Sequence, residues 1–371
     1  MKILYIDPMS YNNLAIYDYN LLSNTECEIY FAGNELYDIE LPTGITFFPI
    51  FKYSQKKSLF KVFSYIISIL KIVKLVKKIN PDIIHIQWIR LWIVDFLFLK
   101  YLRWKKKNII YTAHNMLPHN ERKNDYQHYY NYYHLLRNII VHSEKSKEQL
   151  VSEFNIKKEY ITVIPHGVLD LSQALDKQSV VAIKKELSEK HDLSNKIVFS
   201  MLGGLDKYKG SDLVFDVWNE SFATNEEVFL FTCGKISDEI SANIDLLQNT
   251  YTDFNRIDNA MFLAILQLTD VLLLPYRKIS QSGVLLSAIN EKIPFLVSNA
   301  GGLSDALSIA NVGWNIGIAT KKTLSEQMQS ILNNKDELNE KKHSPLWEKL
   351  SDYYSWKEIG IKTQRLYEKS C

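Results

Sequence analysis

Cysteine is scarce: Cys27, Cys233 and Cys371 lie far apart in 371 residues and form no C-x-x-C pair. That excludes a disulfide scaffold and a zinc ribbon and fits a reducing cytoplasm. No apolar run approaches the ~20 residues a bilayer span needs. The two longest, Val62–Leu70 and Leu91–Leu99, are flanked by Lys61 and Lys71 or broken by Asp95. The apolar start, Met1–Ile6, ends at Asp7-Pro8, too early for a secretory signal. With 13 glycines and 9 prolines there is no low-complexity or collagen-like tract. The nine histidines include no H-E-x-x-H, no Asp-x-Asp occurs, and neither G-x-G-x-x-G nor the P-loop pattern is present. These absences disfavour a catalytic metal, a dinucleotide fingerprint and a P-loop ATP site.

What is present is ordinary globular material, 46% hydrophobic and 23% charged, long enough for about two domains. The net charge of +2 argues against nucleic acid as a partner but hides an asymmetry. Lys52–Lys107 holds fourteen Lys or Arg against Asp82 and Asp95, a local +12 that leaves −10 for the rest. Such a block points to an anionic partner for one face.

Short apolar runs alternate with helical patterns throughout. Strands are expected at 2–7, 28–31, 83–86, 109–112, 139–142 and 162–164, then at 197–201, 228–232, 271–274 and 295–297. Continuously apolar strands interleaved with helices predict parallel, doubly wound α/β sheets. The pattern restarts after Ile164-Pro-His-Gly167, which divides the chain into 1–168, 169–345 and a tail, 346–371, of one or two amphipathic helices.

Three turns of the second half could carry an anion. Gly203-Gly204, followed by Lys207, Lys209 and an apolar helix, forms a strand–glycine turn–helix unit. Glycines admit backbone N–H groups to a phosphate, and the helix start adds partial positive charge. Pro275 to Gly283, with Arg277, Gln281 and Ser282, makes a second such turn, and Asn299-Ala-Gly-Gly302 a third. Taken singly, each also reads as an ordinary βα turn or N-cap. Turns that follow neighbouring parallel strands converge at one sheet edge, where open α/β sheets bind ligands.

In the first half His114, after an apolar strand, is a candidate hydrogen-bond donor or general acid/base, or else a structural strand-end histidine. The tyrosines of 126–133 read as packing a helix on its sheet. Over 57–78, Lys57, Lys61, Ser64, Ser68, Lys71 and Lys78 form one helical stripe, opposite Phe60, Phe63, Ile67, Leu70 and Val73. With Arg103, Lys105, Lys106 and Lys107 further on, this reads as an anionic membrane surface contact or as a sheet-covering helix with a wet basic face.

The chain resembles the family-4 glycosyltransferases of the GT-B fold. The resemblance is carried by Asp82-Ile-Ile-His85, Thr112-Ala-His114-Asn115, Ser143, Val163-Ile-Pro-His-Gly-Val168, Gly203…Tyr208-Lys209-Gly210, Leu274-Pro-Tyr-Arg277 with Ser282-Gly283-Val284, Pro294…Gly301-Gly302 and Ser355-Trp356…Tyr367. It implies two Rossmann-like domains facing across a cleft and a C-terminal helix crossing back to the first. It also implies metal-independent transfer from a nucleotide-sugar, UDP- or GDP-linked, with retention and no further cofactor. By the same resemblance Gly203, Gly204, Lys207, Lys209, Ser282 and Gly283 hold the donor diphosphate, and His114 lies near the transferred sugar. Arg277, Gln281, Ser287 and Asn299 are donor- or sugar-side candidates, and Asn12, Asn13, Asn115 and His119 acceptor-side ones. Departures are Gly204 and Asp206 where an arginine is usual, Ile279 and Ser287 at the paired glutamates, and Tyr11-Asn-Asn13 at the first-loop glycines. The expected activity is extension of a surface polysaccharide on a lipid-linked or oligosaccharide acceptor, by a cytoplasmic protein peripheral to the inner face of the cell membrane. A nucleotide-sugar 2-epimerase of the same fold and a non-catalytic membrane-binding homologue are the alternatives.

Overall fold

Continuous apolar runs become parallel strands because helices on both sides remove both sheet faces from water. The computed structural model describes residues 1–371 apart from 53–57, 119–121, 173–174, 241–247 and 280 and the side chains of Asn13, Ser58 and Leu59. The chain divides into two units, Met1–Gly167 with Tyr354–Cys371, and Val168–Tyr353.

Along the first unit come β1 (Lys2–Ile6), α1 (Asn13–Ser23), β2 (Glu28–Asn34), β3 (Ile45–Phe51), α2 (Ser58–Ile79) and β4 (Ile83–Ile86). There follow α3 (Trp92–Trp104), β5 (Asn108–Thr112), α4 (Asp125–Tyr133), β6 (Asn138–Val141), α5 (Glu144–Ser152) and β7 (Ile161–Val163). Its parallel sheet has the order β3-β2-β1-β4-β5-β6-β7. Alternation along β1 sends Leu4 and Ile6 into the core under α2 to α5, and Ile3 and Tyr5 into the core on the opposite face.

The second unit holds α6 (Lys177–His191), β8 (Ile197–Leu202), α7 (Ser211–Ser221), β9 (Val228–Cys233), β10 (Thr250–Asp253) and α8 (Asn259–Leu268). It continues with β11 (Val271–Leu274), α9 (Gly283–Asn290), β12 (Phe295–Val297), α10 (Asp305–Ile309), β13 (Trp314–Asn315), α11 (Lys321–Asn333), α12 (Lys335–Lys342) and α13 (Leu346–Tyr353). The order is β10-β9-β8-β11-β12-β13, again parallel. The chain then re-enters the first unit as α14 (Trp356–Ser370), capped by Ser355, which accepts from the Glu358 N–H. The returning tail thus starts at Tyr354 and not at 346, since α13 stays with the second unit.

The strands absent from the sequence reading, β3, β10 and β13, lie at sheet edges. β10 (TYTD) and β13 (WN) are short with little apolar signal, and β3 carries Pro49, which only an edge or bulge tolerates. Helix α2 corrects the stripe read from periodicity. Ile69, Ile72, Leu75 and Val76 face the core and Ser68 is buried, its hydroxyl donating to the Ile50 carbonyl at 2.9 Å. Phe60, Phe63, Ile67 and Leu70, the inner face in the sheet-covering alternative, are exposed. A helix apolar on two sides gives periodicity no means to choose which side the sheet takes.

α14 is held by close approaches. A Cβ at Gly360 would overlap the Asn24 carbonyl beyond α1, and one at Gly167 would overlap the Trp356 indole. Overpacking of this kind costs about 1–3 kcal/mol. Gly167→Ala should therefore lower the unfolding free energy of the full chain by that order, seen as a lower urea midpoint with the m-value kept; an unchanged midpoint would show that the indole moves aside freely.

Candidate functional site

In the second unit the turn after β8 begins at Gly203, in the left-handed region at φ 91°. A methyl group built there would reach within 3.3 Å of Val284 Cγ2 and 3.7 Å of Lys209 Nζ; one on Gly204 would reach within 3.5 Å of Lys209 Nζ. The first and second turns therefore meet, with the Lys209 ammonium between them and 5.8 Å from the ring centroids of Tyr208 and Tyr276. Lys209 is partly buried and, among the described residues, has no ion pair. Desolvation pulls its pKa below the usual lysine range, with Asp206 opposing. An ammonium stripped of water without a neutralising partner favours an anion beside it.

Ser282 caps α9, accepting from the Leu285 N–H at 3.3 Å, and its hydroxyl also bonds Tyr276. The cap fixes where the first free amides of α9 point. Other contacts lock the turns. Gly210, at φ 76°, lies against the Pro275 carbonyl where no Cβ fits, and Arg277 N donates to the Tyr208 carbonyl at 2.7 Å. The Arg277 guanidinium pairs with both Asp212 oxygens, at 2.7 and 2.8 Å, and also donates to the Lys207 carbonyl. Ser298 Oγ donates to the Tyr276 carbonyl, and Gly301 packs on the Ile279 carbonyl, which brings in the third turn.

The structure thus brings Gly203, Gly204, Lys209, Ser282 and Gly283 together. Arg277, expected on the donor side, is a tie between turns. The side chain of Lys207 is exposed, and Ser287 is buried within α9. Asn299 accepts from Asn315 Nδ2 at 2.7 Å, and Gln281 is half-buried beside Ser282. The Arg277–Asp212 clamp left no sequence signal, because the two residues are 65 apart and unremarkable singly.

The first unit builds a different constellation. His114 lies flat on Trp88, with centroids 4.5 Å apart, and edge-on to Tyr17. Its Nδ1 is 3.1 Å from His142 Nε2, and its Nε2 is 2.9 Å from the Gln87 amide. His142 Nδ1 is 2.9 Å from the Ile164 carbonyl, which only accepts. Burial holds His142 and His85 down at about 3 and His166 at about 4, and drives His114 well below the usual value, so the rings are neutral at pH 7. The Ile164 carbonyl then fixes Nδ1–H on His142, and its Nε2 in turn fixes Nδ1–H on His114. His114 Nε2 becomes an acceptor, so the Gln87 amide presents its NH₂ there and its oxygen to His85 Nε2 at 2.9 Å, whose N–H is shared with Thr112 Oγ1 at 2.7 Å. His85 Nδ1 then accepts from the Tyr367 hydroxyl at 2.7 Å. Both ring nitrogens of His114 are committed, so it is a positioned neutral ring with no spare N–H. General acid/base action would require breaking one of these bonds.

Beneath this chain Asp7 and Asp18 are buried together. Burial raises Asp7 to about 7 and Asp18 well above the carboxylate range, while the Tyr5 hydroxyl donates to Asp18 at 2.5 Å. Asn12, at φ 52°, opens α1, and Asn115 follows His114 beyond β5. His119, and the side chain of Asn13, lie outside the described residues. Among the described residues no three metal-ligating side chains converge.

Two pH effects follow, of opposite sign. The histidines bind protons in the unfolded chain from about pH 6.5 down but stay neutral when folded, so acidification through that window toward about 4 removes stability. Asp7 and Asp18 hold protons better folded than unfolded, so their burial costs stability as pH rises through about 7. Asp18→Asn should stabilise the chain more at pH 8 than at pH 5, read by urea unfolding at the two pH values. Equal effects at both pH values would contradict the assignment. Imidazole nitrogen NMR should show His114 neutral and Nδ1-protonated at pH 5.5; a titration near 6.5 would refute the chain as drawn.

The model of the family described as Glycosyltransferase Family 4 matches residues 33–170. No curated protein matches the sequence. Among solved structures the chain is similar to a glycosyltransferase from Rickettsia africae, with a TM-score of 0.71 at 15% identity, covering 100% of this chain and 98% of that one. It is similar also to HepE of Anabaena, solved in complex with UDP, with a TM-score of 0.73 at 12% identity and 100% of both chains covered. Sucrose-phosphate synthase from Thermosynechococcus elongatus gives 0.72 at 16%, covering 100% and 98%. At such identities the likeness is one of fold. The chain has the GT-B fold, two Rossmann-like units each built on a parallel sheet, and over residues 33–170 its sequence matches Glycosyltransferase Family 4.

Proposed function

We propose that the chain is a glycosyltransferase that takes a sugar from a nucleotide-sugar, bound through its diphosphate on the second unit. The observation that carries this is the desolvated Lys209 ammonium, without an ion pair among the described residues, against Gly203-Gly204 and the start of α9. As the glycosidic bond to the donor opens, negative charge gathers on the departing nucleoside diphosphate. A fixed cation and helix-end amides stabilise that charge without reorganising, so no metal is called for in this reading. Among the fold neighbours HepE was solved with UDP and with UDP-glucose, which favours a UDP-sugar over a GDP-sugar as donor.

Retention of configuration follows the family resemblance, and we read the departure as front-face, through an oxocarbenium-like state. The acceptor in this reading is a lipid-linked saccharide, motivated by the basic block of the first unit, and the pathway is surface polysaccharide synthesis at the inner face of the cell membrane. Among the described residues no helix is long and apolar enough to cross a membrane.

Titration calorimetry with UDP, GDP and UDP-sugars tests the donor site. Lys209→Ala should weaken binding by about 10- to 100-fold, the range for losing one charge-assisted hydrogen bond. Unchanged affinity in a folded variant would overturn the assignment. Isomerisation of a UDP-sugar without acceptor would replace transfer by epimerisation.

A further inference from the structure

The outward side of α2 and α3 is a surface the donor site does not use. On α2 Phe60 and Phe63 are 65% exposed and Leu70 58%, with Ile67 beside them. At 100° per residue these four form one stripe over the first three turns, and Lys71, Lys74 and Lys78 continue it to the C-terminal end. α3 packs beside α2 and repeats the design: Ile93, Leu97 and Trp104, 58, 59 and 72% exposed, share one face with Lys100. The Lys105 ammonium lies 4.1 Å from the Trp104 ring centroid, and Lys100 lies 4.6 Å from that of Phe96. Neither acid of this stretch lies on the exposed face of either helix. Asp95 is buried, accepting from Tyr65 and from the Arg90 and Leu91 amides, and Asp82 accepts from the Lys2 N–H. Not every expected cation is free: Lys107 donates to Asn80 and Pro81, and Arg103 to the Leu135 carbonyl. Lys57 lies outside the described residues.

We propose that this face docks on an anionic lipid bilayer, with the aromatic and aliphatic tips of α2 and α3 entering the acyl boundary and the flanking ammoniums meeting headgroups. Exposed phenylalanine and leucine tips cost free energy in water and would gain nothing from a soluble anion or a nucleic acid, so charge alone does not account for them. A second copy would press two cationic patches together, and like charges disfavour that pairing. Apolar residues combined with lysines, and no exposed acid along α2 or α3 among the described residues, match a bilayer surface, on which a helix unable to span lies flat. In naming the partner, the inference rests on the reading of a lipid-linked acceptor; its test does not, because it uses neither donor nor acceptor.

The experiment is co-sedimentation of the full chain with phosphatidylcholine vesicles, with and without 30% phosphatidylglycerol (a composition of about that charge suffices). Binding is expected only to the anionic vesicles. Phe63→Gln with Leu70→Gln should abolish it with folding intact by circular dichroism. Lys71→Gln and Lys74→Gln should each weaken it about fivefold at low salt, and less as salt rises. Trp104 fluorescence should be quenched by lipids brominated on their chains, and Trp104→Phe should remove that quenching. Retained binding in the Phe63/Leu70 double variant, or a dimer in sedimentation velocity that this variant dissolves, would overturn the proposal. Loss of donor affinity in Lys209→Ala with vesicle binding unchanged would leave the two readings separately decided.

Discussion

The second unit turns on an ammonium that is desolvated and, among the described residues, has no ion pair. Lys209 has lost much of its water, and its surroundings are a glycine turn, two aromatic rings and the start of a helix. The contacts around it make that arrangement rigid. Arg277 spends its guanidinium on Asp212 and the Lys207 carbonyl, Gly210 lets Pro275 close in, and Ser298 ties the third turn to Tyr276. These ties hold the turns that carry the cation, and such preorganisation lets it favour developing charge.

The first unit solves a different problem, that of keeping polar groups in a place without water. Tyr367, His85, Gln87, His114 and His142 pass hydrogen bonds in one direction to the Ile164 carbonyl, so each buried donor finds an acceptor. The chain begins on α14, which explains in physical terms why the last segment returns to this unit: Tyr367 supplies the first donor, while Ile359 and Leu366 enter the core. A neutral, oriented His114 is the consequence. The nearby Asp7–Asp18 pair is the cost, two carboxyls in one dry place that resist ionising together.

Helix α2 shows how surface and core trade residues. Both sides are apolar enough to be buried, and the sheet takes the Ile69–Ile72–Val76 side. The Phe60–Phe63–Leu70 side stays outside with the lysines, so the basic block is amphipathic in a sense opposite to the one periodicity gives.

Read alone, the sequence determined the α/β class, the parallel character of both sheets and the strands of their interiors, because burial on both faces demands unbroken apolar runs. It also picked out the glycine turns and Lys209, since left-handed glycines and a lysine before a helix leave a local signature. Only the tertiary structure decided the rest. The edge strands β10 and β13 take their identity from a neighbour more than from their own apolarity. Arg277 and Asp212, or His85 and Tyr367, meet across 65 and 282 residues, and no local pattern records such pairs. Which nitrogen of His114 carries its proton was settled by a carbonyl fifty residues away, at Ile164, because hydrogen-bond direction in a buried chain is fixed by its terminal acceptor.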